Sequence, residues 1–284
     1  MKILHISNHS VDRCGVALFG RQCSAALRAE GVEVDDWDAT YSPLHAREER
    51  GEPSYLPASL AAYDVVHLNW QPSTINHYHP VMFPLGQLYS VFLHDLPPWS
   101  SCPFEERMQV KFALEPYPGA VEIPPPAPDF CPFVQMCPQV TIGRTNIREA
   151  GKHELGTICF KHDWIFNDSN PHHWLSEEEE VERLARSWVN VVWYDEHRSR
   201  GSAAMVAAAA RRPLLLSYSE RFSHLLPYQA EFYQATLGQL ESTLLWVIDE
   251  VRRGQARVPS FIPEVFGWRR AARTMIKTWE AARV

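Results

Sequence analysis

Lys2-Ile-Leu-His-Ile-Ser7, Asn8-His-Ser-Val-Asp-Arg-Cys-Gly15, Val16–Ala29 and Val32–Asp38 follow one another at the start of the sequence, and together they point to one fold class. The first piece is a short apolar strand. The second is a polar loop. The third repeats apolar residues at helical spacing through Val16, Phe19, Cys23, Ala26 and Leu27. Gly31 stands where a helix ends on a left-handed residue, and Val32–Asp38 reads as a second strand. A strand, a loop, a helix and a strand make a βαβ unit, which predicts a parallel sheet.

The same grammar continues outward. Thr40–Pro57 is polar and reads as a loop. Asp64-Val-Val-His-Leu-Asn-Trp70 and Ser90-Val-Phe-Leu-His-Asp95 are apolar strands that end in polar residues. Strands this apolar are expected to be buried on both faces, as in a parallel sheet. Pro116–Pro138 carries Pro124-Pro-Pro126, Pro128, Pro132 and Pro138. It can neither continue a helix nor form a central strand, so a domain boundary is expected there. After it the pattern restarts: strand Val140–Thr145, helix Asn146–Phe160, strand Trp164–Asn167, a helix capped by Ser176 with Glu179 three residues on, and strand Val189–Tyr194. An Ala-rich helix Ser202–Arg212, strand Pro213–Ser217 and two long helices, Ala230–Gly254 and Glu264–Arg283, complete the reading. The predicted division is 1–125, 126–265 and a terminal helix over 266–284.

The chain has 284 residues and a formal net charge of −7, which gives no general footprint for nucleic acid. Residues 1–137 hold 8 Lys/Arg against 16 Asp/Glu, whereas residues 138–284 hold 19 against 18. The second half is therefore the better host for an anion. The 6 cysteines form no Cys-x-x-Cys pair, and no signal peptide or membrane-length apolar run is visible. The expectation is a cytoplasmic protein with reduced thiols.

Four places carry candidate chemistry. The loop ending in Cys14 and Gly15 leads into a helix N-terminus, where backbone N–H groups favour an anion. It holds one glycine and no dinucleotide fingerprint. His94-Asp95 ends a buried strand, where an open α/β sheet presents its ligands. There His94 suits a sugar hydroxyl or a proton and Asp95 a general base. Arg144, Arg148 and Lys152 surround a helix start, and such cations bind diphosphates by charge-assisted hydrogen bonds. Tyr194–Ala204 again joins strand to helix, with Glu196, Gly201 and Ser202 available to a ribose or phosphate. No metal site is predicted: His77-x-His79 and His172-His173 lack partners. Glu177–Glu180 reads as a solvated first helical turn.

Taken in order, these segments resemble glycosyltransferases of the GT-B type, in the retaining, family-four-like group, over most of the chain. The opening strand and helix, the strand Asp64–Trp70, Val91-Phe-Leu-His-Asp-Leu96, Gly143-Arg144 and Ala207–Ser217 are similar to that group's successive motifs. The resemblance implies two Rossmann-like domains facing a cleft, with the final helix crossing back to the first domain. It implies hexosyl transfer from a nucleotide-diphosphate sugar to a hydroxyl acceptor, with the donor held mainly by the second half and His94 near the sugar. It implies no cofactor beyond that donor, since Arg and Lys carry the diphosphate charge. The sequence departs from the group at its paired glutamates: Arg198 and Val206 occupy those positions, and Glu196 matches only after a shift of register. Donor sugar, acceptor and stereochemical course stay open. So do transfer to a hydroxymethylated pyrimidine in DNA, as in phage enzymes, and a non-catalytic sugar-nucleotide-binding module.

Overall fold

The computed structural model describes residues 1–9, 15–39, 60–70, 86–94, 102, 105–128, 130, 134–145, 149–167, 175–194, 203–260 and 265–283. The chain divides into two compact units, Met1–Pro124 with Trp268–Val284, and Pro125–Gly267.

The first unit is built on β1 (Lys2–Ser7), β2 (Glu33–Asp38), β3 (Val65–Trp70), β4 (Tyr89–Leu93), β5 (Val110–Ala113) and β6 (Val121–Glu122), in the order β2-β1-β3-β4-β5-β6. Every pairing is parallel. The helix α1 (Gly15–Ala29) ends as expected on Gly31, whose φ is +83°. Val32 N–H reaches Leu27 O and Gly31 N–H reaches Arg28 O, closing the helix with a left-handed cap.

Alternation along the strands sorts residues between the faces. Leu4, Ile6, Val66, Leu68 and Val91 pack on one side. Ile3, Val65, Phe92 and Phe112 pack on the other, against Cys23 and Leu27 of α1 and against the last helix. Trp279 of that helix is fully buried, and its indole N–H donates to Ser90 Oγ at 2.8 Å. Trp279→Ala is therefore expected to destabilise the first unit by about 3–5 kcal/mol. Urea unfolding followed by tryptophan fluorescence checks this, and a loss below about 1 kcal/mol would remove the indole from the core.

The second unit holds β7 (Thr141–Arg144), β8 (Ile165–Asn167), β9 (Val189–Val192), β10 (Leu214–Ser217) and β11 (Tyr233–Ala235), all parallel in the order β11-β10-β9-β7-β8. The helices α2 (Glu149–Lys161) and α5 (Leu240–Arg252) cover one face. The other face carries α3 (Glu177–Ala185) and α4 (Ala203–Ala209). Ser176 and Glu179 form the expected capping box. The last helix, α6 (Trp268–Ala282), belongs to the first unit.

The structure departs from the sequence pattern in two places. The stretch read as one helix over Ala230–Gly254 is a 3-10 segment to Glu231, the strand β11 and then α5. A second capping box, Thr236 with Gln239, starts the helical part only after the strand. The strands β5 and β6 were not anticipated, and β6 lies within the Pro-rich stretch at the sheet edge, where prolines nearby cost no ladder bonds.

Candidate functional site

At the C-terminal end of the first sheet, the residues that end β1, β3 and β4 form one buried polar network. Asn69 on β3 donates from Nδ2 to Ser7 Oγ at 2.8 Å and to Val16 O at 2.9 Å. A backbone carbonyl only accepts, so the amide nitrogen must face Val16. The Asn69 Oδ1 therefore faces His94, which lies just past β4, and accepts a short hydrogen bond from His94 Nε2. That assigns the His94 tautomer: Nε2 carries the proton, and Nδ1 is the acceptor in the neutral ring. Phe19 meets the ring edge-on at 4.6 Å, and Phe92 lies at 5.2 Å. His94 is thus held in orientation and 8% exposed.

The close approach of α1 makes this possible. A Cβ on Gly20 would lie 2.4 Å from Ser7 Oγ and 3.0 Å from Asn69 Nδ2. Gly15 is the exposed first residue of α1. Arg21 donates to His9 O at 2.6 Å and ties the helix to the chain leaving β1. Cys14 and Asp95 lie outside the described residues. Below the network, Ser24 Oγ, Asp36, His5 and Cys23 fill the interface of α1 with the sheet. Burial pushes the Cys23 thiol up to about 12, so it is no nucleophile. Asp36 in β2 accepts from Arg28 Nη2 at 2.7 Å and from Ser24.

In the second unit, Arg144 ends β7 on the face of Ile142 and is buried, with its guanidinium 5.8 Å from the centre of the Phe166 ring. Lys152 is exposed on α2. Arg148, Glu196, Gly201 and Ser202 lie outside the described residues. The strand ends are braced from α3. Arg183 donates to Asn167 O at 2.6 Å and to Arg144 O at 3.0 Å. Thr145 Oγ1 donates to Glu180 Oε1 at 2.7 Å. Glu180 is thus a structural partner of the β7 end, which corrects the reading of that acidic turn as purely solvated.

Two glycines set close contacts. On Gly143 a Cβ would lie 2.1 Å from Asn190 Oδ1 and 2.6 Å from Ser187 Oγ; on Gly151 it would lie 2.4 Å from the Trp193 ring. Gly143→Ala is expected to cost about 1–3 kcal/mol, since it forces a buried polar side chain aside. A thermal melt showing no loss would mean that Asn190 moves freely.

Arg221 stands in no motif that marks it in the sequence. It is buried beside the C-terminal ends of β9 and β10, with its guanidinium 3.8 Å from the centre of the Tyr194 ring. Tyr194 N–H donates to Ser217 Oγ at 3.0 Å, and Ser217 Oγ donates to Tyr194 O at 3.1 Å. Arg221 and Arg144 are thus two buried cations of the second unit. Asn69 was also passed over, although a lone amide inside Val-Val-His-Leu-Asn-Trp is a signal that the strand's inner face is polar.

No family model matches the chain, and a search among curated proteins finds no match. Solved structures do match over its full length. HepE of Anabaena, in complex with UDP-glucose, has a TM-score of 0.65 at 10% identity, covering 99% of this chain and 100% of that one. Sucrose-phosphate synthase of Thermosynechococcus elongatus has a TM-score of 0.68 at 12% identity, covering 99% and 98%. An α-glucosyltransferase in complex with UDP and a DNA 13-mer containing an HMU base has a TM-score of 0.62 at 13% identity, covering 99% of each chain. The fold is the two-unit α/β architecture of GT-B glycosyltransferases. Among the described residues, no helix is long and apolar enough to cross a membrane.

Proposed function

We propose that this protein transfers a sugar from a nucleotide-diphosphate donor to a hydroxyl acceptor. The observation that carries this reading is the full-length likeness to HepE, whose structure holds UDP-glucose. Buried polar side chains at the ends of parallel strands support it, because that is where such sheets bind ligands. Arg144, Lys152 and Arg221 supply positive charge in the second unit and are the proposed partners of the diphosphate, whose negative charge grows as the sugar leaves. His94 is the proposed contact for a sugar hydroxyl.

A nucleoside diphosphate is expected to raise the melting temperature, by about 2.7 kcal/mol of added stability at a hundredfold excess over Kd. Arg144→Ala is expected to weaken that binding about 10–100-fold, the loss typical of a hydrogen bond to a charged group. Titration calorimetry of the folded variant with UDP and with GDP measures it. If the folded wild-type chain binds neither these nor any other nucleoside diphosphate, the donor assignment fails. Unchanged affinity in the variant removes Arg144 alone.

A second reading keeps the donor and changes the acceptor to a hydroxymethylated pyrimidine in DNA. The neighbour solved with DNA containing an HMU base favours it, and the net charge of −7 disfavours a duplex footprint. A gel shift comparing modified with plain oligonucleotides separates the two readings.

A further inference from the structure

Across the middle of the first sheet runs a buried polar row that the proposed transfer does not use. His5 on β1 and His67 on β3 stand opposite one another in register, and both are fully buried. One ligand atom from each of His5, His67 and Cys23 lies within 4.8 Å of the others. The Cys23 thiol in turn lies 3.8 Å from the Met275 thioether of α6.

The hydrogen bonds around His5 decide its tautomer. Ser24 Oγ donates to Asp36 Oδ1 at 2.5 Å, which uses the only hydroxyl proton. Ser24 Oγ must then accept from His5 Nδ1 at 2.6 Å. This leaves His5 Nε2 as a bare lone pair. His67 Nδ1 meets Ser90 Oγ at 3.1 Å, and that oxygen also accepts from Trp279. The remaining nitrogens, His5 Nε2 and His67 Nε2, are both buried with no hydrogen-bond partner among the described residues. Buried polar atoms are rarely left so, because each carries its full desolvation penalty.

We propose that the first unit binds a soft monovalent metal ion, copper(I), through His5, His67 and Cys23, with Met275 as a fourth and weaker ligand. Two imidazoles, a thiolate and a thioether are a copper-selecting set, since sulfur ligands favour soft ions. Charge selects the same ion. One thiolate neutralises copper(I), whereas a dication would keep a net charge among Leu27, Phe112 and Trp279, where burial penalises it. The supports match those of metal-bound histidines, each ring being held through its other nitrogen: His5 through Ser24 to Asp36, and His67 through Ser90. Metal–ligand bonds of about 2.0–2.3 Å bring ligand atoms within about 4 Å of one another, close to the 4.8 Å within which one ligand atom of each residue already lies. On binding, the Cys23 S–H bond breaks, an S–Cu bond forms and the proton leaves to buffer. No electron is transferred. This site is independent of the proposed sugar transfer.

The test is anaerobic titration of the full, metal-free chain with copper(I) against a coloured copper(I) chelator. One equivalent should leave the chelator, with one proton released, and X-ray absorption should report mixed nitrogen and sulfur ligation. Cys23→Ala and His67→Leu should each weaken binding on the order of 100-fold or more, and Met275→Leu only about 3–10-fold. Melting curves establish that each variant is folded. Wild-type affinity in folded Cys23→Ala would place the copper on other thiols and overturn the proposal. So would a folded wild type that takes up no copper(I), or one that takes zinc and refuses copper.

Discussion

Replacing His94 with alanine is expected to lower single-turnover sugar transfer by about two to four orders of magnitude, while affinity for the nucleoside diphosphate stays within about twofold. The split follows from chemistry. His94 is proposed to touch the sugar, whereas Arg144, Lys152 and Arg221 are proposed to touch the phosphates. The ring is also costly to hold as it stands. Asn69, Ser7 and the Val16 carbonyl together fix one tautomer and one orientation, and Gly20 gives up its side chain to let them meet. Asn69→Leu tests the positioning half of the argument. It keeps the volume but frees the ring, and about a tenfold fall in kcat is expected with donor affinity unchanged. The competing account is that His94 only satisfies the end of β4. That account predicts a lower melting temperature with full turnover per folded molecule in both variants, and this result would leave the transfer reading without its sugar contact.

The parts of the fold that could be read in advance are those whose periodicity had no rival. Val65–Trp70 is buried at every position, so no alternation could mislead. The first βαβ unit carries its own stop signal in Gly31. Elements were missed where local pattern and tertiary setting part company. Tyr233-Gln-Ala235 is only three residues long, and the apolar residues beyond it continue at helical spacing, so the strand was absorbed into the helix. Its position is fixed by pairing with β10, which no local window contains. The strand β5 is similarly short, and its Lys111 looks solvent-facing, yet the ammonium pairs with Glu105 at 2.8 Å.

The candidate site divides in the same way. His94 and Arg144 were candidates because the sequence pattern put both at strand ends, and they lie one residue past β4 and at the end of β7. Asn69 and Arg221 were not, because their contacts come from which face they point to and what stands opposite. Glu180 was misread for the same reason: a run of four acids looks solvated until Thr145 is seen to donate to one of them.

The buried histidines lead to the second large effect, an acid instability of the metal-free first unit. Burial, reinforced by the neighbouring His94, holds His67 down from 6.5 to about 3. Burial also holds His5 well below its ordinary value, with His67, His9, Arg28 and His94 adding repulsion. Among the described residues the Asp36 carboxylate lies 3.8 Å from His5 Nδ1, and it does not reverse that direction. In the unfolded chain both rings titrate near pH 6.5. Below that pH the unfolded state binds protons that the folded state refuses, so stability falls as pH falls. The His67 contribution is complete above about pH 6.5 and is lost between there and about pH 3, at about 1.4 kcal/mol per pH unit. Paired carboxylates such as Asp35, held down chiefly by Tyr63, add their losses only at lower pH, below the ordinary carboxylate value of 3.8. Between pH 6.5 and 4.5 the slope therefore belongs to the histidines. Against a domain stability of about 5–15 kcal/mol, a few kcal/mol lost there moves unfolding into mildly acid solution. Urea midpoints measured from pH 8 to pH 4.5 on metal-free protein should stay level to about pH 6.5 and then fall. In His67→Gln, which cannot titrate, the fall should be shallower by about one histidine's share. A level midpoint down to pH 4.5 in the wild type would mean that both rings are reached by water and accept a proton without unfolding.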